Sequence, residues 1–287
     1  MRIQLVSDLH LECHPDFMPS AAPNTDVLVL AGDIGSYQAG SRLAEDDFGL
    51  SRFSPLRPCA PWPRVLFTPG NHEFDSLEFE DTYTRLRGIC SRLGIDWLER
   101  EVVMIGRVRF IGTTLWSDFD AFARSATQIT QQMKLREKAF KAANYYLSKN
   151  TTLRQGAPML ADSIREMSLV CQAWLRTALE TPFDGTTVVV THFAPTLQSA
   201  DLRYGLQPGT AGFCNTLDEL LPLAQVWMHG HLHCPNHYTV TGTKDGQSFA
   251  CRVVANPLGY AAKGEQQGYL EEFVVELPEA LVNGLSA

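Results

Sequence analysis

Val65-Leu-Phe-Thr-Pro-Gly-Asn-His-Glu73 sets an apolar, strand-like run, Val65–Thr68, directly before a loop of glycine, asparagine, histidine and glutamate. A run that is apolar at nearly every position suits a central strand covered on both faces, not one with a solvated side. The same unit recurs four times. Ile3–Val6 leads to Asp8-Leu-His10, and Val27–Ala31 to Gly32-Asp33. Thr187–Val190 leads to Thr191-His192, and Val226–Met228 to Gly230-His231-Leu232-His233. In open sheets with helices on their faces, ligands bind where strand C-terminal ends release their loops. Five strand ends can therefore pool polar side chains in one place.

Outward from these units the pattern alternates. Asp75-Ser-Leu-Glu78 reads as a capping box. Leu86, Ile89, Cys90 and Leu93 follow at helical spacing, with Gly94 as the stop. Val102–Ile105 and Val108–Gly112, split by Gly106-Arg107, read as a hairpin or adjacent strand pair. From about 117 to 181 the pattern turns helical, first over 121–149 and then through Ile164, Met167, Cys171, Trp174 and Leu175 on one face. Asn150–Pro158, polar and with Gly156, reads as the connection between them. Residues 196–216 form a long irregular segment of the kind that often carries function. Tyr238–Thr241, Ala250–Val254 and Phe273–Glu276 close the chain as strands. With no internal repeat and no low-complexity linker, the expectation is an α/β fold in a single domain over 1–287. A helical cap or insertion at about 117–165 is expected within it.

Composition narrows the function. At 45% hydrophobic and 20% charged residues, the 287-residue chain is ordinary for a globular protein and excludes disorder. No stretch approaches the ~20 apolar residues of a membrane span. The net charge of −8, without a basic cluster, argues against a general nucleic-acid or anionic-membrane surface. Bound metal ions can still make a local pocket positive. Seven scattered cysteines without a CxxC, and an N-terminus that enters a strand directly, point to a reducing compartment, the cytoplasm. Most of these thiols read as core filling, with Cys234 a small neighbour of the site. Trp174 and Trp227 read as core, and His14 and His237 as exposed.

The loop residues suit metal chemistry. Imidazole binds Zn, Fe or Mn, and carboxylate and amide oxygens suit harder divalent ions. Asp8 and His10, like His231 and His233, are two apart, which places each pair on one side of an extended segment. Asp33 has two oxygens and can bridge two ions ~3.5–4 Å apart.

Taken singly, each of these residues is an ordinary loop residue. Together, D-x-H, G-D, G-N-H-[DE], H and G-H-x-H occur in this order between residues 8 and 233. That set resembles the calcineurin-like metallophosphoesterase superfamily. The resemblance implies a four-layer αββα sandwich of two mixed β-sheets flanked by helices. It implies two divalent transition metal ions (Mn, Fe or Zn), one held by Asp8, His10, Asp33 and His233, the other by Asp33, Asn71, His192 and His231. A metal-bridging hydroxide would attack phosphorus, while His72 protonates the leaving oxygen or stabilises the transition state. Glu73 stands where a carboxylate often accompanies that histidine. His229, outside the pattern, reads as packed or supporting.

The implied function is hydrolysis of a phosphate mono- or diester, with a small phosphoester as partner. Two other readings compete. One is a non-catalytic metal-binding scaffold or protein-interaction module of the same fold, like the retromer subunit, but a scaffold has no reason to keep the full ligand set and His72. The other is a nuclease, but such relatives carry added DNA-binding parts that an acidic chain of this length lacks. Near the C-terminus, Val254-Ala-Asn-Pro-Leu-Gly-Tyr260 resembles a bacterial N-P-R-G-Y segment, with Leu258 where arginine is common. Asn256 is a substrate candidate there, and Arg203 or Lys263 are the local substitutes for the arginine.

Overall fold

The computed structural model describes residues 1–149 and 151–278. Asn150, at the head of the expected connection, and 279–287, the end of the expected domain, lie outside the described residues. The strand-like runs form strands. They are β1 (Arg2–Val6), β2 (Val27–Ala31), β3 (Val65–Thr68), β4 (Asp96–Trp97), β5 (Glu101–Ile105) and β6 (Val108–Thr113). Then come a short pair, β7 (Leu153–Arg154) and β8 (Ala157–Pro158), and β9 (Thr186–Thr191), β10 (Val226–His229), β11 (Asn236–Lys244), β12 (Gln247–Ala255) and β13 (Val274–Glu276). Among the described residues, three α-helices accompany them: α1 (Phe79–Leu93), α2 (Ile129–Leu147) and α3 (Ala161–Glu180).

Two sheets result. One runs in the order β13-β1-β2-β3-β4, parallel except for β13. The other runs β11-β12-β10-β9-β6-β5, with a parallel centre and antiparallel edge strands. Side chains alternate across each strand, so a continuous apolar run serves two cores. Ile3, Leu5, Val27 and Val29 meet Phe110, Val188, Val190 and Met228 in the layer between the sheets. Leu28, Leu30 and Phe67 on one outer face, and Ile111, Val189 and Trp227 on the other, join the apolar faces of the helices. Helix α1 supplies Leu86, Ile89 and Cys90, and α3 supplies Ile164, Cys171, Leu175 and Leu179. This is the four-layer αββα sandwich.

Several boundaries differ from the sequence reading, each for a local reason. The expected capping box is absent: Glu78 is the N-cap of α1 without a side-chain cap, and Asp75 bonds His72 instead. The helix expected from 121 begins at Ile129. Ahead of it, Asp118 accepts hydrogen bonds from Arg124 and Gln172, and Asp120 from Arg136 and Arg165. These bonds hold a buried irregular segment that includes Leu115, Trp116 and Phe119. The connection before α3 contains the β7–β8 pair. The last hairpin is longer than read, because Asp245-Gly246, with φ of 51° and 80°, makes a tight turn between β11 and β12.

Parallel pairing places the C-terminal ends of β1, β2 and β3 together, and those of β9, β10 and β12 together. The two sheets are tied at that end. Leu258 N donates to Ser7 O at 3.1 Å and Gly259 N to Asp8 O at 3.0 Å, joining the exits of β12 and β1.

Candidate metal centre

All five loops carry their polar residues to this end. Asp8, His10, Asp33 and His233 present ligand atoms within 4.8 Å of one another, as do Asp33, His192 and His231. Asp33 belongs to both groups. Asn71 Oδ1 lies 3.3 Å from His192 Nε2, beside the second group.

The backbone route differs from the strand alternation expected for Asp8-x-His10 and His231-x-His233. Asp8 (φ 54°), His10 (47°), Asp33 (55°), His231 (71°) and His233 (48°) all lie in the left-handed region. Asp and His enter it more readily than most residues, but at a cost of order 1 kcal/mol each. The strand ends before these loops, and the left-handed turns aim the side chains inward. Gly70 is required by close approach, since a Cβ there would collide with Asp33 Oδ1.

Each candidate histidine is oriented from behind. His10 Nδ1 bonds Glu12 Oε1 at 2.9 Å, and His233 Nδ1 bonds Glu265 Oε2 at 2.6 Å. His192 Nδ1 donates to Ala31 O at 2.8 Å. Fixing Nδ1 as a donor selects the tautomer whose Nε2 offers its lone pair, the arrangement metal sites use. His10 Nε2 and His233 Nε2 face each other at 3.0 Å, a hydrogen bond in which one of the two carries the proton. His231 is held by its rings, with the Phe193 and Phe213 centroids 3.9 and 5.1 Å away, and by its backbone N–H, which donates to Asp8 Oδ1 at 2.9 Å.

The electrostatics call for cations. Asp8 and Asp33 are buried, and burial would raise both pKa values. Hydrogen bonding to His233 brings Asp8 down to about 2, and the charges of His192 and His72 hold Asp33 well below the carboxylate range. The balancing charge falls on His192 and His233. Burial opposes it, but Asp33 lifts the first to about 9, and Asp8 with Glu265 lifts the second to about 9. Asp33 Oδ2 is buried with no hydrogen-bond partner, although His192 Nε2 lies only 3.1 Å away off the bonding direction. A buried carboxylate oxygen ringed by imidazoles, with His192 as its ion-pair partner, is suited to a divalent cation. The donor set fits such ions.

His72 lies next to these groups. Its Nδ1 bonds Asp75, its Nε2 is 4.0 Å from Asp33 Oδ2, and its backbone N–H donates to Asp33 Oδ1 at 2.8 Å. Burial alone would lower its pKa, but Asp75 and Asp33 keep it well above the usual histidine value. Glu73 acts beneath the site: it accepts N–H bonds from Gly70 (2.6 Å), Ile34 (2.5 Å) and Asp33 (3.1 Å), cross-linking two loops.

The remaining candidates lie elsewhere. Arg203 pairs with Asp201 at 2.7 Å on an exposed loop and joins neither donor group. Asn256 is spent on main chain, bonding Leu5 O and Leu270 O at 2.9 Å each. His229 is buried against Ser199 Oγ at 3.0 Å, with its pKa pushed down to about 4 by burial. Lys263 lies over the Tyr260 ring at 4.6 Å. Burial pushes the Cys234 thiol up to about 11, away from nucleophilic use at neutral pH. His14 is not a free spectator, since its Nε2 bonds Gly259 O at 3.1 Å. The sequence offers Asp75 as a helix cap and Tyr260 as the end of the Asn256–Tyr260 segment, not as supports of the donors, and it singles out neither Glu12 nor Glu265. Glu12, two residues after His10, carried a faint signal; Glu265, distant from His233, carried none.

Fold and site together define a metallo-dependent phosphatase-like protein. The family model described as calcineurin-like phosphoesterase matches residues 1–235, and the chain belongs to that family. It is 22% identical over 315 residues to an uncharacterised protein of Acanthamoeba polyphaga mimivirus, spanning 99% of this chain and 100% of the relative. Among solved structures it is similar to phosphopantetheinyl hydrolase from Mycobacterium tuberculosis. The TM-score is 0.69 and the identity 18%, over 97% of this chain and 96% of that one, a likeness of fold. No described helix is long and apolar enough to cross a membrane.

Proposed function

We propose that the protein is a metal-dependent hydrolase of a small phosphate mono- or diester. The observation that carries this reading is the convergence of two donor groups on a shared, buried Asp33 with His72 beside it. Asp8, His10, Asp33 and His233 would hold one divalent ion, and Asp33, Asn71, His192 and His231 a second. Divalent ions supply Lewis acidity there and bring water toward ionisation at neutral pH. Glu12, Glu265 and the Ala31 carbonyl keep the imidazoles in the binding tautomer. His72, oriented by Asp75, donates a proton from Nε2 to the departing ester oxygen. The family description and the hydrolase title of the structural neighbour support the reaction class.

A scaffold would need none of the His72–Asp75 arrangement, so the catalytic reading is preferred. We further take residues 117–165 as a cap, with α2 beside the donors, and place the chain in the cytoplasm, a reading its free cysteines support. The test is a hydrolysis screen over phosphomonoesters, cyclic nucleotides, dinucleotides and bis-aryl phosphates, with Mn²⁺, Fe²⁺ and Zn²⁺ supplied separately. Turnover that is lost in Asp33→Asn is expected. Metal-loaded protein inert toward every ester would leave the scaffold reading.

A further inference from the structure

The donor groups are flanked by different surroundings. Next to His10 and His233, Tyr260 closes over the site: its ring stacks on His10 with centroids 4.2 Å apart and meets His233 edge-on at 5.1 Å. On the other flank, Asn71, His72 and His231 form one wall of a cavity of about 240 Å³. The rest of that cavity is largely apolar. Trp116, Phe193 and Phe213 line it with Ala143 and Leu147 of α2 and Ile164 of α3; Asp75 lies beside His72, and no lysine or arginine is among its described lining residues.

We propose that this cavity holds the alcohol portion of the phosphoester, and that this portion is an uncharged aromatic or similarly bulky apolar group. The inference rests on the hydrolase reading and adds the substrate class to it. Three observations carry it. First, the cavity is continuous with the donors through His231 and Asn71, so an ester whose phosphoryl group lies at the donors has its organic part within reach. Second, His72 is on the same wall, so the bridging ester oxygen between phosphorus and the cavity lies beside the side chain placed to protonate it. Third, size and chemistry agree. An apolar cavity of about 150 Å³ holds benzene, so this one takes an aromatic ring with a substituent. Apart from the paired His72 and Asp75, no described lining residue is an acid, lysine or arginine, so a charged group there is left unpaired, and burying an unpaired charge is prohibitive. In the reaction, a P–O bond forms to the oxygen of water and the P–O bond to the alcohol breaks. The alcohol oxygen leaves with the proton from His72, and the proton lost by water restores the balance.

The experiment compares methyl, benzyl and 4-carboxybenzyl phosphates, and the matching methyl diesters, on Mn²⁺-loaded full-length protein. The parent alcohols are close in acidity, so differences report binding of the organic group. The benzyl ester should exceed the methyl ester in kcat/KM by about 10–100-fold, the value of burying one ring. It should exceed the carboxybenzyl ester by at least about tenfold. Ala143→Trp, which fills the cavity, should collapse the benzyl preference toward unity. Gly212→Val provides a second filling, since a Cβ at Gly212 meets only Phe119 and Ala143, at 3.5 and 4.0 Å. Metal content and melting temperature establish that each variant is folded. Turnover with equal kcat/KM for methyl, benzyl and carboxybenzyl esters would overturn this inference and leave the hydrolase reading standing. A benzyl preference unchanged in both folded variants would move the subsite elsewhere and likewise overturn it. No turnover of any ester by metal-loaded protein would overturn both.

Discussion

The carboxylates behind the histidines are the residues whose importance is least visible from their position in the chain. Glu12 and Glu265 are buried, each bonds the Nδ1 of a candidate ligand, and Glu265 also accepts the Tyr260 N–H at 2.9 Å. Removing such an outer partner typically costs 10–100-fold in metal affinity. Glu12→Gln and Glu265→Gln are therefore expected to weaken metal binding by about that factor while leaving melting of the metal-free protein nearly unchanged. Calorimetric titration with Zn²⁺ or Mn²⁺ checks this, and wild-type affinity in both variants would show the bonds to be incidental. His72 makes the complementary case. It belongs to neither donor group, and on the proposed reading its imidazole, oriented through Nδ1 by Asp75, acts on substrate and does not bind metal. His72→Ala should keep its metal and lose roughly 10²–10⁴ in turnover. The loss should shrink for aryl esters whose leaving group needs little protonation. Metal depletion in that variant would make His72 a ligand.

Among the elements, α2 differs from the strands it accompanies. Of its 19 residues only Ala139 is fully buried, whereas β2 and β9 are buried at every position. It rests on the 208–212 turn and on α3, and is fastened from the segment before it by the Arg136–Asp120 pair at 2.6 Å. An element with little buried apolar surface opens at low free energy. Amide hydrogen exchange is expected to show 129–147 exchanging well before 27–31 and 186–191. Equal protection would argue against a cap that opens for substrate. The same contrast explains what could be read in advance. Strand runs flanked by Gly, Asp and Asn are legible because burial on both faces demands apolar residues throughout. The start of α2 was placed eight residues early because the polar residues of 118–128 form ion pairs with α2 and α3, a use that periodicity does not register.

At the scale of the whole molecule, the donors come from loops of both sheets, so any ion bound there also ties the two halves of the sandwich. Ligands that bind only the folded state stabilise it by about 2.7 kcal/mol at 100-fold excess over Kd. For a chain of this size that corresponds to a rise of roughly 4 °C in Tm. Adding a chelator should lower Tm by at least that amount, and re-adding Mn²⁺ or Zn²⁺ should restore it. A Tm indifferent to chelation would show that the donor groups hold no ion tightly. What the sequence alone determined is the set of strand–loop units, because these depend on local burial; the candidate donors were legible through the resemblance of the five motifs to a known family. What only the tertiary structure decided is how the donors are aimed and what surrounds them. The left-handed turns at Asp8, His10, Asp33, His231 and His233 replace the strand alternation that spacing suggested. Glu265 reaches His233 across 32 residues, and the apolar cavity assembles from α2, α3 and the segments that follow β3, β6, β9 and β10. Those features are contacts between residues far apart in the chain, and packing, which no single stretch encodes, is what brings them together.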